Sequence, residues 1–436
     1  MQIIGLNTPQ NHRPFKGALF NAASYVEAST LLNKGIVDIG GFVIPQAVMS
    51  NNKDESVERV FKSLLYFVFT FVSPFVLLPM INKIALRSAK LVKNFNTDEK
   101  RILEMSKKYL STTAEDMLKG IKETSKRLFN DENKFNSLTK RFEDPEELRQ
   151  RLIKTHTKVL TTDFLTTNLM VGAIPWLGNM LTKYRTNRSG YSGTYEMADE
   201  SFTKKASEKH EKSKKKRQAA TFLLAVLPAL TVPPLLKKGM MNKNLGKITG
   251  WFNKNSHKFD YLNAKSMSRL TALIMWITSD YFPYQLACRD KYEYRDTVIR
   301  GTSIGLVFWG GDLLLKKILA KTSDKLFGTK LMNTETKTAF RISDLKDVNI
   351  NKFKSLKNID MKTLQKTRNA AIGLYILNLA TVSATLGFGL PAMLNRLLRR
   401  TVNKDMQTRF TTSKPAAFEA FNLDTTKRTS KLINVQ

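Results

Sequence analysis

The sequence predicts an all-α fold: a polytopic helical integral membrane protein of about four to six transmembrane helices, with basic helical inserts and an internal parallel duplication. Three observations lead there. Long uncharged segments interrupt a strongly basic chain, positive charge collects at their ends, and two stretches repeat one pattern in the same order.

The 436 residues hold 71 Lys+Arg against 37 Asp+Glu, a net charge of +34. Mean hydropathy is −0.28. Those averages alone suggest a soluble nucleic-acid binder. The 26 Phe, 12 Tyr and 4 Trp argue against general disorder. Cys288 is the only cysteine, which excludes a disulfide scaffold.

The averages hide two populations. No charge occurs between Lys62 and Lys83, Asp163 and Lys183, Arg217 and Lys237, or Arg368 and Arg396. Each gap reaches the roughly 20 apolar residues that cross a bilayer as a helix. The expected spans are 63–82, 164–182, 218–236 and 370–395. Weaker candidates at 270–288 and 301–315 are interrupted by Asp280 and Asp312. Buried helices of a soluble protein are the alternative. Against it stand the missing polar stripe, the internal Pro74, Pro79, Pro175, Pro228 and Pro391, and basic residues at segment ends. The first strong apolar run starts near Ser63, behind a polar N-terminus, so an internal segment is expected to direct insertion without a cleavable signal.

The elements follow in order. Residues 1–62 form a polar N-terminal region with a proline motif. Residues 63–185 form a first membrane half, with spans 63–82 and 164–182 around a soluble helical insert, 87–162. Helix-start signals in that insert are Asn96-Thr97-Asp98-Glu99, Thr112 with Glu115, and Asp144-Pro145-Glu146-Glu147. Residues 186–217 read as a basic linker. Its run of Lys212, Lys214, Lys215, Lys216 and Arg217 matches a nucleic-acid patch, but the uncharged stretch that follows favours contact with anionic lipid. Lys237, Lys238, Arg399 and Arg400 are expected to touch lipid in the same way. Residues 218–268 hold a central span, 218–236, and a basic loop. Residues 269–400 form the second membrane half, with spans 270–288, 301–315 and 370–395 and a basic insert, 317–367. Residues 401–436 read as a mobile basic tail. With six spans, loops 87–162, 239–268 and 317–367 share one side, and their positive charge places it in the cytoplasm.

The repeat is counted from Pro45 and Pro283. Acids fall at offsets 10 and 13 (Glu55 and Glu58; Glu293 and Asp296), and a base at 17 (Lys62; Arg300). Downstream, Pro175 with Asn179 matches Pro391 with Asn395. The two halves would start four spans apart and share orientation, the parallel type of repeat found in some transporters.

Chemical motifs are sparse. Gly301-Thr302-Ser303-Ile304-Gly305 matches a serine-elbow pattern, but the sequence reads better as Gly-x-x-x-Gly helix packing. His12, His156, His210 and His257 are scattered and lie outside the expected spans. With the lone cysteine they give no zinc spacing, so no catalytic residue, metal or cofactor is expected. An enzyme is disfavoured without being excluded. Asp280 and Asp312 are the candidate intramembrane acids, because ionisable groups at membrane depth are costly and usually functional. The connection at 289–300 is read as a short loop between antiparallel segments, which sets both acids at similar depth.

Three functions follow as expectations. The first is binding or transport of a solute, ion or lipid between the two halves. The second is a non-catalytic membrane scaffold that holds anionic lipid. The third is a soluble helical nucleic-acid binder.

Overall fold

The computed structural model describes residues 14–91, 110–129, 144–241, 246–256, 259, 261–262, 266–267, 269–350, 353–356 and 359–408. These are mostly helical. Strand is confined to two hairpins of two-residue strands, Tyr261–Leu262 with Ser266–Met267 and Met332–Asn333 with Thr338–Ala339. The expected helix starts at 96–99, together with His12 and His257, lie outside the described residues.

Among the described residues, seven helical stretches frame the ion-pair cluster and its surroundings. They are α1 (Ile36–Val48), α2 (Lys53–Ser88), α3 (Pro145–Thr186), α4 (Lys214–Met241), α5 (269–287), α6 (291–327) and α7 (Met361–Thr408). Among the described residues three helices, α2, α4 and α7, are long and apolar enough to cross a membrane by length and composition. Segments 164–182, 270–287 and 301–315 are helical but are not among them, and Cys288 lies just past the end of α5.

Proline shapes these helices in a consistent way. Pro79, Pro175, Pro228, Pro233 and Pro234 sit inside continuous helix. Pro45, Pro74, Pro283 and Pro391 each follow a π-helical segment that ends two residues earlier. Immediately before each of these four prolines an amide donates five residues back: Ile44 to Ile39, Ser73 to Val68, Phe282 to Ile277, Leu390 to Thr385. The pyrrolidine ring would strike the carbonyl four residues back, and the wider turn makes room for it.

The helices alternate in direction, which separates two ends. One end gathers the start of α2, the end of α3, the α5–α6 turn and residues of α7 beyond Pro391, as the contacts Lys62–Asn179, Asn179–Ala287 and Asn51–Asn395 record. At the other end the inserts fold onto the helices. Leu110, Met117 and Ile121 pack with Leu148, Ile153, Leu236 and Met240. There Arg149 donates to the carbonyls of Leu110 (3.3 Å) and Met240 (2.5 Å). Leu331, Phe340, Ile342 and Leu345 pack against Ala320, Ala371 and Ile372, with Phe20 and Val26 from the helix Pro14–Ala28.

Several expectations need correction. Thr113, not Thr112, caps the helix Ala114–Phe129; its Oγ1 accepts the Asp116 amide at 3.2 Å. Residues 291–300 are the first turns of α6, not a loop. At about 1.5 Å per residue, Asp280 lies about 10 Å and Asp312 about 30 Å from the turn at 288–290, so the two acids are not at one depth. Residues 401–408, expected as tail, continue α7; 409–436 lie outside the described residues. The stretch 186–217 is not a plain linker, because Tyr191, Ser192, Gly193 and Thr194 are buried and Glu200–Lys212 is a helix.

Candidate functional site

The start of α2 and the start of α6 are built alike. Asn52 caps α2 by accepting the Glu55 amide at 2.8 Å, and Asp290 caps α6 by accepting the Glu293 amide at 2.9 Å. Each glutamate folds back onto the amide preceding the cap. Glu55 accepts from Asn51 at 2.6 Å and Glu293 from Arg289 at 2.7 Å. This closes the orphan donors at each helix start, a variant of the capping box displaced by one residue. Asn51 and Arg289 are both six residues past their proline, and the caps seven.

From this frame four acids and four bases converge. Lys62 pairs with Glu58 at 2.6 Å, and Arg300 with Asp296 at 3.1 Å, each one turn apart on its own helix. Arg289 and Arg59 then bridge the two helix starts. Arg289 holds Glu293 at 2.9 Å and reaches Glu58 at 2.8 Å. Arg59 holds Glu55 at 2.5 Å and lies 3.8 Å from Asp296. Each arginine thus joins the offset-10 acid of its own stretch to the offset-13 acid of the other, although Arg289 stands at offset 6 and Arg59 at offset 14. Lys62 adds a third crossing, 3.6 Å from Glu293. None of the eight side chains is more than 14% exposed. Their charges sum to zero in a chain of +34.

The stretch after α3 seals the cluster. Tyr191 donates its hydroxyl to Glu55 at 2.7 Å and accepts from Arg59 at 3.0 Å. Its amide donates to Asp290 at 2.7 Å. Thr182 and Ser192 donate hydroxyls to Glu58 at 2.7 and 2.8 Å. Burial pushes the Tyr191 phenol well above its usual range, against the pull of Arg59. Burial alone would raise Asp296 too, but Arg300 and Arg59 hold its carboxyl below the usual carboxylate range.

The two Pro/Asn motifs exchange partners as well. Asn179 donates to the Ala287 carbonyl at 2.7 Å, at the end of α5. Asn395 donates to the Met49 carbonyl, at the end of α1, and accepts from Asn51 at 3.1 Å. Ala287 and Met49 are both four residues past their proline. The paired glycines make close crossings. A Cβ on Gly41 would sit 2.6 Å from Ser383 Oγ, and one on Gly387 would meet the Gly41 carbonyl and Pro45.

The sequence-selected residues therefore divide. Pro45, Glu55, Glu58, Lys62, Pro283, Glu293, Asp296, Arg300, Asn179 and Asn395 meet in or around one junction. Gly301 and Gly305 lie under the rings of Tyr281 and Trp276. Pro79 lies within α2, away from the cluster. Asp280 stands in the π-helical turn Trp276–Tyr281, and Asp312 opens the α-helix Asp312–Phe327. Lys212, Lys215, Lys216, Lys237, Lys238, Arg399 and Arg400 are exposed, and Lys214 is partly so. Arg217 is not a lipid contact of the expected kind, because it donates to the carbonyls of Leu286 and Cys288 at 2.6 Å and of His210 at 2.5 Å. Sequence reasoning missed Arg59, Arg289, Tyr191, Thr182 and Ser192. The pairs Asn52/Glu55 and Asp290/Glu293 carried a capping signal three residues apart; Tyr191 carried none.

No group of three or more His, Cys, Asp or Glu side chains among the described residues is arranged to hold a metal ion. Comparison with protein families, with characterised proteins and with solved structures finds no match for this chain.

Proposed function

We propose that the chain is a multi-pass membrane protein built from two parallel-related halves, and that their junction passes or binds a polar solute, ion or lipid. In this reading α1–α3 form one half, α5–α7 the other, and α4 returns the chain so that both start from the same side. The ion-pair cluster lies just outside the uncharged segments, at one membrane face, where it latches the halves together.

One observation carries the proposal: acids at matching offsets in the two halves exchange arginines across the junction. Buried ion pairs are weak stabilisers compared with apolar packing. Eight charges at a junction suit a contact that changes partners, because Glu58 and Glu293 each face two bases already. Membrane placement draws support from apolar side chains exposed at helical spacing. Leu64, Val68, Val76, Met80 and Ile84 follow a four-residue repeat along α2, and Leu223, Leu227 and Leu230 line α4. Exposed apolar surface of that extent suits lipid better than water.

The test is reconstitution in vesicles, reading proton, potassium, sodium and chloride flux for wild type and for Glu58→Gln with Asp296→Asn. Altered flux in the variant supports a latch on a solute path. Identical, background flux in both proteins removes the transport reading. A second reading, the lipid-binding scaffold, draws on the exposed Lys215, Lys216, Lys237, Lys238, Arg399 and Arg400. Extraction of the protein by carbonate would remove both and return the soluble nucleic-acid binder.

A further inference from the structure

At the end of α6 farthest from the ion-pair cluster, one helix face changes character within three turns. Leu314 and Ile318 are 59% and 51% exposed. Lys321 and Lys325 continue the same face at i+7 and i+11 from Leu314. Beside them lies a cleft of about 470 Å³ lined by Lys317, Lys321, Lys325 and Lys337, with Asn333 and Thr334.

The hairpin Met332–Asn333/Thr338–Ala339 forms the far wall. Asp324, the acid in the lining, is committed to holding that wall. Its Oδ1 accepts from the Thr329 hydroxyl at 2.6 Å and the Leu331 amide at 2.7 Å, and its Oδ2 accepts from the Met332 amide at 2.9 Å. Lys337 sits in the left-handed region, at φ 54, which fixes the hairpin turn that carries its side chain. None of the four lysines makes an ion pair among the described residues. The Lys316 side chain, which neighbours them on α6, acts instead on Glu27.

We propose that this cleft binds the phosphate headgroup of one anionic phospholipid, with an acyl chain laid along Leu314 and Ile318. The inference rests on the membrane reading above. Charge selects an anion, and the order apolar face then lysines along one helix selects a lipid. Free phosphate would use the lysines and leave the leucine and isoleucine bare.

The test uses the full chain purified in neutral detergent, with phosphatidylglycerol or phosphatidylcholine added, and bound lipid read by native mass spectrometry. Wild type should retain phosphatidylglycerol in preference. Each surface lysine adds about fivefold to anionic-lipid affinity, so Lys321→Ala with Lys325→Ala should lose about 25-fold. Lys204→Ala with Lys205→Ala, both exposed on the helix Glu200–Lys212, removes the same charge elsewhere and should change little. Equal loss in both double variants, or no loss in the first, overturns the inference. Displacement of the lipid by excess inorganic phosphate also overturns it, in favour of a free-phosphate site. Carbonate fractionation separates the two levels. Retention in the pellet with failed lipid binding sinks this inference alone, whereas extraction sinks the membrane reading.

Discussion

Arg289, in the turn just before the Asp290 cap of α6, reaches Glu58 on α2 at 2.8 Å while holding Glu293 of α6 at 2.9 Å. Both ends of the crossing pair are buried. Removing either partner leaves the other with one counter-charge instead of two, so the loss should stay below the about 3–5 kcal/mol typical of a buried charge left wholly unpaired. Glu58→Gln and Arg289→Gln should each lower the thermal midpoint markedly in detergent. The double variant should lose less than the sum of the two. Strict additivity in that cycle would mean the pair is not coupled.

Asp296 gives the cluster a defined acid limit. Its folded pKa is below the unfolded value, so its contribution to stability is present above the ordinary carboxylate range and is lost as pH falls through the folded value. Melting of the wild type should therefore weaken below about pH 4. Asp296→Asn should be less stable at neutral pH and show a flatter acid limb. An unchanged acid limb would remove Asp296 from the account.

Gly193 should not tolerate a methyl group. A Cβ there would sit 2.7 Å from the Tyr191 ring and 2.8 Å from Glu55 Oε1. Gly193→Ala should cost about 1–3 kcal/mol by overpacking. Gly373→Ala, with nothing within 4 Å, is the matched control and should be neutral. Equal melting of the two variants would contradict the packing described.

Asn179 and Asn395 should behave as equivalents. Asn179 satisfies the Ala287 carbonyl at the end of α5, and Asn395 the Met49 carbonyl just past α1. Either change to alanine leaves that carbonyl unpaired, at a cost of about 1–3 kcal/mol. Similar losses of melting temperature in Asn179→Ala and Asn395→Ala are expected. A large effect at one and none at the other would break the correspondence.

The helical class was legible because uncharged runs and prolines are local signals. So was the one-turn spacing of Glu58 with Lys62 and of Asp296 with Arg300, which is visible in a single stretch. Partner exchange was not legible. Arg59 and Arg289 occupy different offsets, so no alignment of the two stretches pairs them, and only the crossing of α2 and α6 gives them one role. Tyr191 was hidden in a basic, polar stretch, where nothing local distinguishes a buried phenol from a surface one. The loop expected at 289–300 failed for a local reason: Asp290 caps a helix that the charged residues Lys291, Glu293, Arg295 and Asp296 made look like a connection.

Two parallel-related halves that cross a membrane would set the ion-pair cluster at one face and the far ends of α4 and α6 at the other. Cys288 is the only cysteine, so a Cys288→Ser background permits single-site labelling. Lys53 and Lys291 are exposed and stand eight residues past their prolines; Lys238 and Lys325 are exposed at the opposite end. Each becomes cysteine in turn, and an impermeant maleimide is applied to sealed, oriented vesicles. Lys53→Cys and Lys291→Cys should label from one side, and Lys238→Cys and Lys325→Cys only from the other. Labelling of all four from one side would contradict the account.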